Sequence, residues 1–242
     1  MTITSQHNAK LKEIRKLSQR RRSRDRAARF VAEGEDLLAA ADAAGWEPVE
    51  RYCAAGTGLP GVEVEPELLA SASGLGSGTR ALAVYEERWA AAPVGPLCVY
   101  LHGVGDPGNV GAVLRSAQAF GASSVALGPG TADPFGPKAV RASMGAVFAV
   151  PLARADSVAA LPGTTVALAA GRGRPLMEVS RSDRAQRGQE VTLLIGSERE
   201  GLPEEAIAAA DQVAHIAIET ESLNAAMAAT IALYEITRMA PA

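Results

Sequence analysis

The stretch "HGVGDPGNVGAVLRSAQAFGASSVAL", His102–Leu127, decides how the chain is read. It leaves the apolar run "LCVYL" and reaches a second one, "SSVAL", through a loop of glycine, proline and asparagine and a helix over about residues 109–120. Strand, loop, helix, strand is the repeating unit of a parallel α/β sheet. A phosphate cradle is a poor reading of "GVGDPGNVG". The spacing is not GxGxxG, no GK[ST] follows, and Asp106 would repel an anion. What the loop offers instead is Asn109 at the mouth of the helix and Arg115 almost two turns inside it. Both lie just beyond the carboxyl end of a strand, where open α/β sheets place working residues.

The same alternation continues outward. A helix is expected around Pro137–Ser143, a strand at "VFAVPL", a helix near Asp156–Ala160, strands at "TTVALAA" and "VTLLIGS", and a long terminal helix. "GRGRPLMEVSRSDRAQRGQE" reads as a polar connection carrying a short strand or turn. In the terminal helix Leu223, Met227, Ile231 and Tyr234 recur at spacings of 4, 4 and 3, which predicts one buried face. The alanines beside them (Ala225, Ala228, Ala229, Ala232) would let another helix approach closely. Two further strand-end loops carry polar groups: "LLIGSEREGLPEE", with Gly196, Ser197 and Glu198, and "HIAIETESLNAAM", with Ser222 and Asn224. His7, His102 and His215 are scattered, so neither a metal centre nor a Ser-His-Asp set is indicated. What remains suits a backbone-lined pocket for a neutral or cationic ligand.

Upstream, "QHNAKLKEIRKLSQRRRSRDRAARF" reads as a helix with Asn8 as a cap and Leu11, Ile14 and Leu17 as its apolar stripe. "RFVAEG", "VERYCAA" and "ALAVYEE" read as strands, "EDLLAAADAAG" and "PELLASASG" as helices. The division expected is residues 1–90, a small α/β domain; 91–96, a linker rich in Ala, Pro and Gly; and 97–242, the parallel α/β domain. Residues 1–30 hold ten Lys or Arg against Glu13 and Asp25, a net of +8 on a chain whose total is -3. A basic segment on an acidic body is an electrostatic footprint for nucleic acid. Lys12, Arg15, Lys16, Arg20, Arg21, Arg22 and Arg24 are the candidate phosphate contacts. With only 4% aromatic residues, the cores must be built from Ala, Val, Leu and Ile. Cys53 and Cys98 sit in apolar contexts and read as reduced core residues of a cytoplasmic protein. Residues 1–29 contain no long apolar run, and no stretch approaches the ~20 apolar residues of a membrane span.

Four segments in order, "GDPGNVGAVLRSAQAFGASSVAL", "GTADPFGPKAVRASMGAVFAVPL", "LLIGSEREGLPEE" and "ESLNAAMAATIALYE", resemble the motifs of the SpoU/TrmH-type RNA ribose 2'-O-methyltransferases of the SPOUT superfamily. The likeness covers about residues 97–238. "SQHNAKLKEIRKLSQRRRSRDRAARFVAEGEDLL" is similar to the substrate-binding domain that precedes many of them. The resemblance implies an α/β fold: a trefoil-knotted methyltransferase domain with a parallel sheet flanked by helices, preceded by a small α/β RNA-binding domain. It implies methyl transfer from S-adenosylmethionine to a ribose 2'-hydroxyl without metal, with 23S ribosomal RNA favoured. The alternatives are a tRNA 2'-O-methyltransferase and an RNA-binding protein without transfer activity. By the resemblance Asn109, Arg115, Glu198, Ser222 and Asn224 are the catalytic set. The donor pocket falls on Ala169, Ala170, Gly171, Ile195, Gly196, Ser197, Gly201, Ile216, Ile218, Leu223 and Ala225. The implied partners are RNA and a second copy of the chain, with no DNA and no membrane. "IAIETESLN" departs from the family in having Ala217 where a proline is usual and in being about two residues short.

Overall fold

The computed structural model describes residues 2–73, 78–183 and 190–237, without the side chains of residues 180–183. It divides into two compact units: residues 1–88 together with Asp133–Ala149, and Trp89–Ala132 together with Val150–Ala242. The expected division at residues 91–96 thus differs from the observed one, because a segment of the downstream half belongs to the first unit.

In the first unit, β1 (Arg29–Glu33), β2 (Glu50–Ala54), β3 (Val62–Val64) and β4 (Ala81–Glu86) form a sheet of order β1-β4-β2-β3. β4 is antiparallel to β1 and β2, while β2 and β3 are parallel. Strand β3 was not foreseen, being three residues beside glycine and proline. Side chains alternate across a strand. Val31, Leu82 and Val84 therefore meet Leu11, Ile14 and Leu17 of α1 (Ala9–Gln19) and Leu69 of α4 (Pro66–Ala72) on one face. On the other, Phe30 and Tyr85 join Trp46, Phe135 and Phe148. The Phe30 and Phe135 ring centroids are 4.8 Å apart, and Trp46 Nε1 donates to the Phe148 carbonyl at 2.9 Å. Three of the chain's four Phe and one of its two Trp lie in this layer. Phe135 precedes α6 (Pro137–Ala142) and Phe148 lies within α7 (Ala146–Ala149), and their burial is why this segment joins the first unit.

The N-terminal helix is two helices. α1 stops at Gln19, Arg20 is extended, and α2 covers Arg21–Ala27. The break turns Arg24 inward, where its guanidinium donates to the Leu17 carbonyl at 2.7 Å and satisfies an orphan acceptor of the last turn of α1. Asn8 caps α1 as expected, its side chain accepting from the Lys10 N–H at 2.9 Å.

In the second unit, β5 (Leu97–Leu101), β6 (Ser124–Leu127), β7 (Leu152–Arg154), β8 (Thr164–Leu168), β9 (Arg174–Pro175), β10 (Val191–Ile195) and β11 (Gln212–His215) form one sheet. The order is β7-β6-β5-β10-β8-β11-β9, and every pairing is parallel. All strand ends with the same polarity therefore share one edge, and the loops after β5, β10 and β11 gather there. Three sequence expectations change. "VFAVPL" is α7 followed by β7, because Met144 and Gly145 turn the chain at positive φ and restart a helix. The polar connection from Gly171 contains the expected short strand, β9, but also a helix that was not expected, α8 (Leu176–Asp183); its residues 184–189 lie outside the described ones. The helix expected near Asp156–Ala160 is a single 3-10 turn, Val158–Ala160.

A fourth correction, with functional weight, concerns α10 (Ala225–Thr237). Its buried face is Ala225, Ala226, Ala229, Ala232 and Leu233, while Met227 is 62%, Tyr234 51% and Ile231 37% exposed. The expected apolar stripe is thus the outer face, apart from half-buried Leu223. A helix apolar nearly all round does not say which side faces in. The alanines win because they allow close approach to α5 (Pro107–Ala119).

Candidate active site

Asp106 is the residue that starts α5. Its carboxylate accepts from the N–H groups of Gly108 at 2.6 Å and Asn109 at 3.2 Å, and Pro107 occupies the first helical position. The incoming loop is tied down by backbone bonds from His102 N to Ile195 O and from Gly103 N to Pro129 O, both 2.9 Å. This holds Asn109 in the first turn, at the carboxyl edge of the sheet. After β10 the chain closes a tight loop by paired bonds between Ser197 and Gly201, with Glu198 in its tip. A Cβ on Gly196 would lie 2.1 Å from the Gly201 carbonyl carbon, so only glycine permits that closure. At the third edge Asn224 caps α10, its Oδ1 accepting from Ala226 N at 3.0 Å and Met227 N at 3.2 Å.

The three loops meet through side chains. Asn109 Nδ2 donates to Glu198 Oε1, and Asn224 Nδ2 donates to Asn109 Oδ1 at 3.0 Å. Three residues 89 and 115 positions apart in sequence form one hydrogen-bonded row. Ser222 lies close by in the cleft wall but makes no bond to this row; its carbonyl accepts from the Thr220 hydroxyl at 3.4 Å. Arg115 is not brought into the row. It is exposed on α5, with no hydrogen bond or ion pair among the described residues. Six residues beyond Asn109 it stands ~9 Å further along the axis and on another side of the helix.

Beside the row is a cleft of about 660 Å³, within the size range of small-molecule and cofactor sites. Its wall includes Ala169, Ala170, Ile195, Gly196, Ser197, Gly201, Ile216, Ile218, Leu223 and Ala225. Gly171, expected with them, turns the chain after β8 at positive φ and does not line the cleft. Sequence reading foresaw Glu198 but missed the other charged members of the wall. Glu198, Glu200, Glu204 and Glu221 face Arg172 and Arg199, an acidic balance that favours a cationic ligand. Arg172 bonds both carboxylate oxygens of Glu204, which raises its already high pKa, and its carbonyl is 3.2 Å from His215 Nδ1. Arg172 follows the end of β8 and Glu204 opens α9 (Glu204–Ala209), strand-end and helix-start positions that were the available signal.

Among the described residues no group of three or more His, Cys, Asp or Glu could hold a metal ion, and no helix is long and apolar enough to cross a membrane. Cys53 and Cys98 are buried and free, and burial pushes the Cys98 thiol above its ordinary pKa, the opposite of an activated nucleophile. In the first unit Lys12, Lys16, Arg20, Arg21 and Arg22 are exposed, and Arg15 is half-buried against Gln6 O and Ser71 Oγ. Arg24 departs from expectation. It is 6% exposed and its guanidinium binds the Asp133 carboxylate at 2.7 and 2.8 Å, so it cannot grip a phosphate.

A parallel sheet whose edge loops build a cofactor-sized, backbone-lined cleft beside a Glu-Asn-Asn row is the layout of an α/β enzyme of small-ligand chemistry, preceded by a unit with a basic N-terminal segment. The chain belongs to the SpoU rRNA Methylase family, whose model matches residues 96–234, and the MRM3-like substrate binding domain matches residues 8–87. The AdoMet-bound rRNA methyltransferase of Sinorhizobium meliloti is similar over 100% of this chain and 99% of its own, with a TM-score of 0.86 and 31% identity. A 23S rRNA (guanosine(2553)-2'-O)-methyltransferase, RlmP, of Bacillus subtilis is 32% identical over 55% of this chain and 54% of its own length. Ribosomal RNA small subunit methyltransferase G 2 of Syntrophobacter fumaroxidans is 39% identical over 55% of this chain and 26% of its own length. The matched region thus spans about half the length of the first of these curated relatives and a quarter of the second.

Proposed function

We propose that this chain transfers a methyl group from S-adenosylmethionine to a ribose 2'-hydroxyl of RNA, with large-subunit ribosomal RNA as substrate. The observation that carries the reading is the row Glu198–Asn109–Asn224 at the lip of the acidic, backbone-lined cleft. The cleft fits the donor: its volume is that of a cofactor site, its wall offers main-chain groups to an adenine, and its carboxylates suit a sulfonium and an ammonium. When bound, that donor supplies an electrophilic methyl group. The residues of the chain supply position. Asn109, Ser222 and Asn224 hold the ribose and the loops, and Glu198 orients Asn109. Arg115 contacts the 2'-hydroxyl and an adjacent phosphate and stabilises charge developing on oxygen. A guanidinium keeps its proton, so this role is orientation and charge stabilisation; the hydroxyl proton would pass to solvent water as the oxygen–methyl bond forms, and the sulfur–methyl bond would break to leave S-adenosylhomocysteine.

The partner is RNA because DNA lacks the 2'-hydroxyl, and the exposed cations of α1 and α2 grip its phosphates in the cytoplasm. The working form is a homodimer. Met227, Ile231 and Tyr234 make an outward apolar face on α10, the Phe120 ring lies edge-on to Tyr234 at 6.3 Å, and Arg115 stands exposed on the adjacent α5. A second copy covers that face and takes Arg115 into its own site. Incubation of the protein with methyl-labelled donor and ribosomal RNA tests the activity. An alkali-resistant dinucleotide from 23S RNA is expected. Methylated bases or a product only in tRNA would overturn the substrate, and donor binding without transfer would leave an RNA-binding protein. Met227→Glu should yield an inactive monomer in equilibrium sedimentation; a stable, active monomer would refute the dimer.

A further inference from the structure

Beyond the polar row, α5 and α10 are joined twice more. Ser116 Oγ and Thr230 Oγ1 are 2.6 Å apart, and Phe120 meets Tyr234. The pairs Asn109–Asn224, Ser116–Thr230 and Phe120–Tyr234 join residues 115, 114 and 114 positions apart, so the two helices run parallel in one register. The Thr230 hydroxyl donates to the Ala226 carbonyl at 2.7 Å, which makes Ser116 the donor to Thr230. From there the bonds are continuous. The Met227 N–H, in the same peptide group as the Ala226 carbonyl, donates to Asn224 Oδ1 at 3.2 Å, Asn224 Nδ2 to Asn109 Oδ1, and Asn109 Nδ2 to Glu198. The chain of bonds leaves α5 at Ser116, passes through the first turns of α10, returns to α5 at Asn109 and ends on the loop after β10.

The rest of this seam has little to fix its register. Apart from Leu233, the buried face of α10 is Ala225, Ala226, Ala229 and Ala232, which allow close approach but interlock little. A polar contact in such a seam specifies register where packing does not. We propose that Ser116 and Thr230 are positioning residues for Arg115: their hydroxyl pair locks the axial setting of α5 against α10. That setting fixes where the neighbouring guanidinium stands relative to the outward face of α10 (Met227, Ile231 and Tyr234), and so relative to the site of the second copy that it enters. The inference rests on the methyl-transfer reading above. Its leverage is geometric, since a displacement of about 1 Å at a reacting group can cost on the order of 10²-fold in rate.

The test compares Thr230→Val, which keeps the shape and removes the hydroxyl, with Thr230→Ser, which keeps the hydroxyl, and with Ser116→Ala. Single-turnover methyl transfer at saturating donor and RNA is read beside donor affinity by calorimetry and amide hydrogen exchange of residues 108–119. Thr230→Val and Ser116→Ala should each slow transfer about tenfold, leave donor affinity within about twofold and speed exchange in α5. Thr230→Ser should restore the wild-type rate, and the double variant Ser116→Ala/Thr230→Val should be no slower than either single one. If Thr230→Val does not fold, Ser116→Ala carries the comparison. Equal rates for Thr230→Val and wild type overturn the inference, as does a loss of rate matched by an equal loss of donor affinity. A wild-type protein that transfers no methyl group overturns the functional reading itself, a result distinct from either.

Discussion

Replacing Arg24 with methionine should unfold the first unit far more readily while leaving no direct mark on RNA binding. The guanidinium is buried, makes two contacts of 2.7 and 2.8 Å to Asp133, and donates to the Leu17 carbonyl at 2.7 Å. Methionine keeps the apolar stem and strands the Asp133 carboxylate, whose side chain is only 13% exposed. Breaking a buried pair from one side costs about 3–5 kcal/mol. With a urea dependence of ~2 kcal/mol/M, that lowers the midpoint by roughly 1.5–2.5 M. Urea unfolding followed by tryptophan fluorescence reads it, since Trp46 sits in the same unit. Arg24→Met/Asp133→Leu should recover most of the loss, because two apolar groups can replace a buried pair. Lys16→Ala is the contrast. It should change stability by less than ~0.5 kcal/mol and flatten the salt dependence of RNA affinity by about 0.7–0.9 in log–log slope. A stable Arg24→Met protein with a flattened salt slope would refute the reasoning and return Arg24 to the phosphate contacts.

Gly196→Ala places a methyl group 2.1 Å from the Gly201 carbonyl carbon, so the Glu198 loop must open; donor affinity measured by calorimetry should fall at least tenfold, and an unchanged affinity would separate the loop from the donor cleft. Asp211 accepts from the Thr165 N–H at 2.8 Å and its hydroxyl at 2.7 Å, and these bonds hold its carboxyl below the usual range. A lowered folded pKa stabilises above the unfolded value near ~3.9 and is lost as pH falls through the folded one. Asp211→Ala should therefore cost about 1 kcal/mol at pH 7, discounted for exposure, and the gap to wild type should narrow below about pH 4 in thermal unfolding.

Local chemistry made much of this protein legible. Asn8 at the head of α1, the glycines and prolines between apolar runs, and the ordered motifs each act within a few residues, so the strands β5, β6, β8 and β10 and the loops at their ends follow from sequence. The set Asn109, Glu198 and Asn224 was legible as separate motifs, because each sits at a strand end or helix start. Their meeting was not, since it depends on β10 lying beside β5 and on α10 running parallel to α5.

Other features were decided by tertiary structure alone. The Leu223–Tyr234 stripe and the alanine face of α10 are both apolar, and periodicity cannot choose between them; the closeness of α5 does. Arg24 is one cation among ten in the basic segment, indistinguishable by charge from Arg22. Only the break at Arg20 and an aspartate 109 residues away turn it from a surface cation into the buried half of an ion pair. Sequence determines which groups are available. A partner that far along the chain becomes a neighbour only when the fold pays the entropy of closing the loop between them.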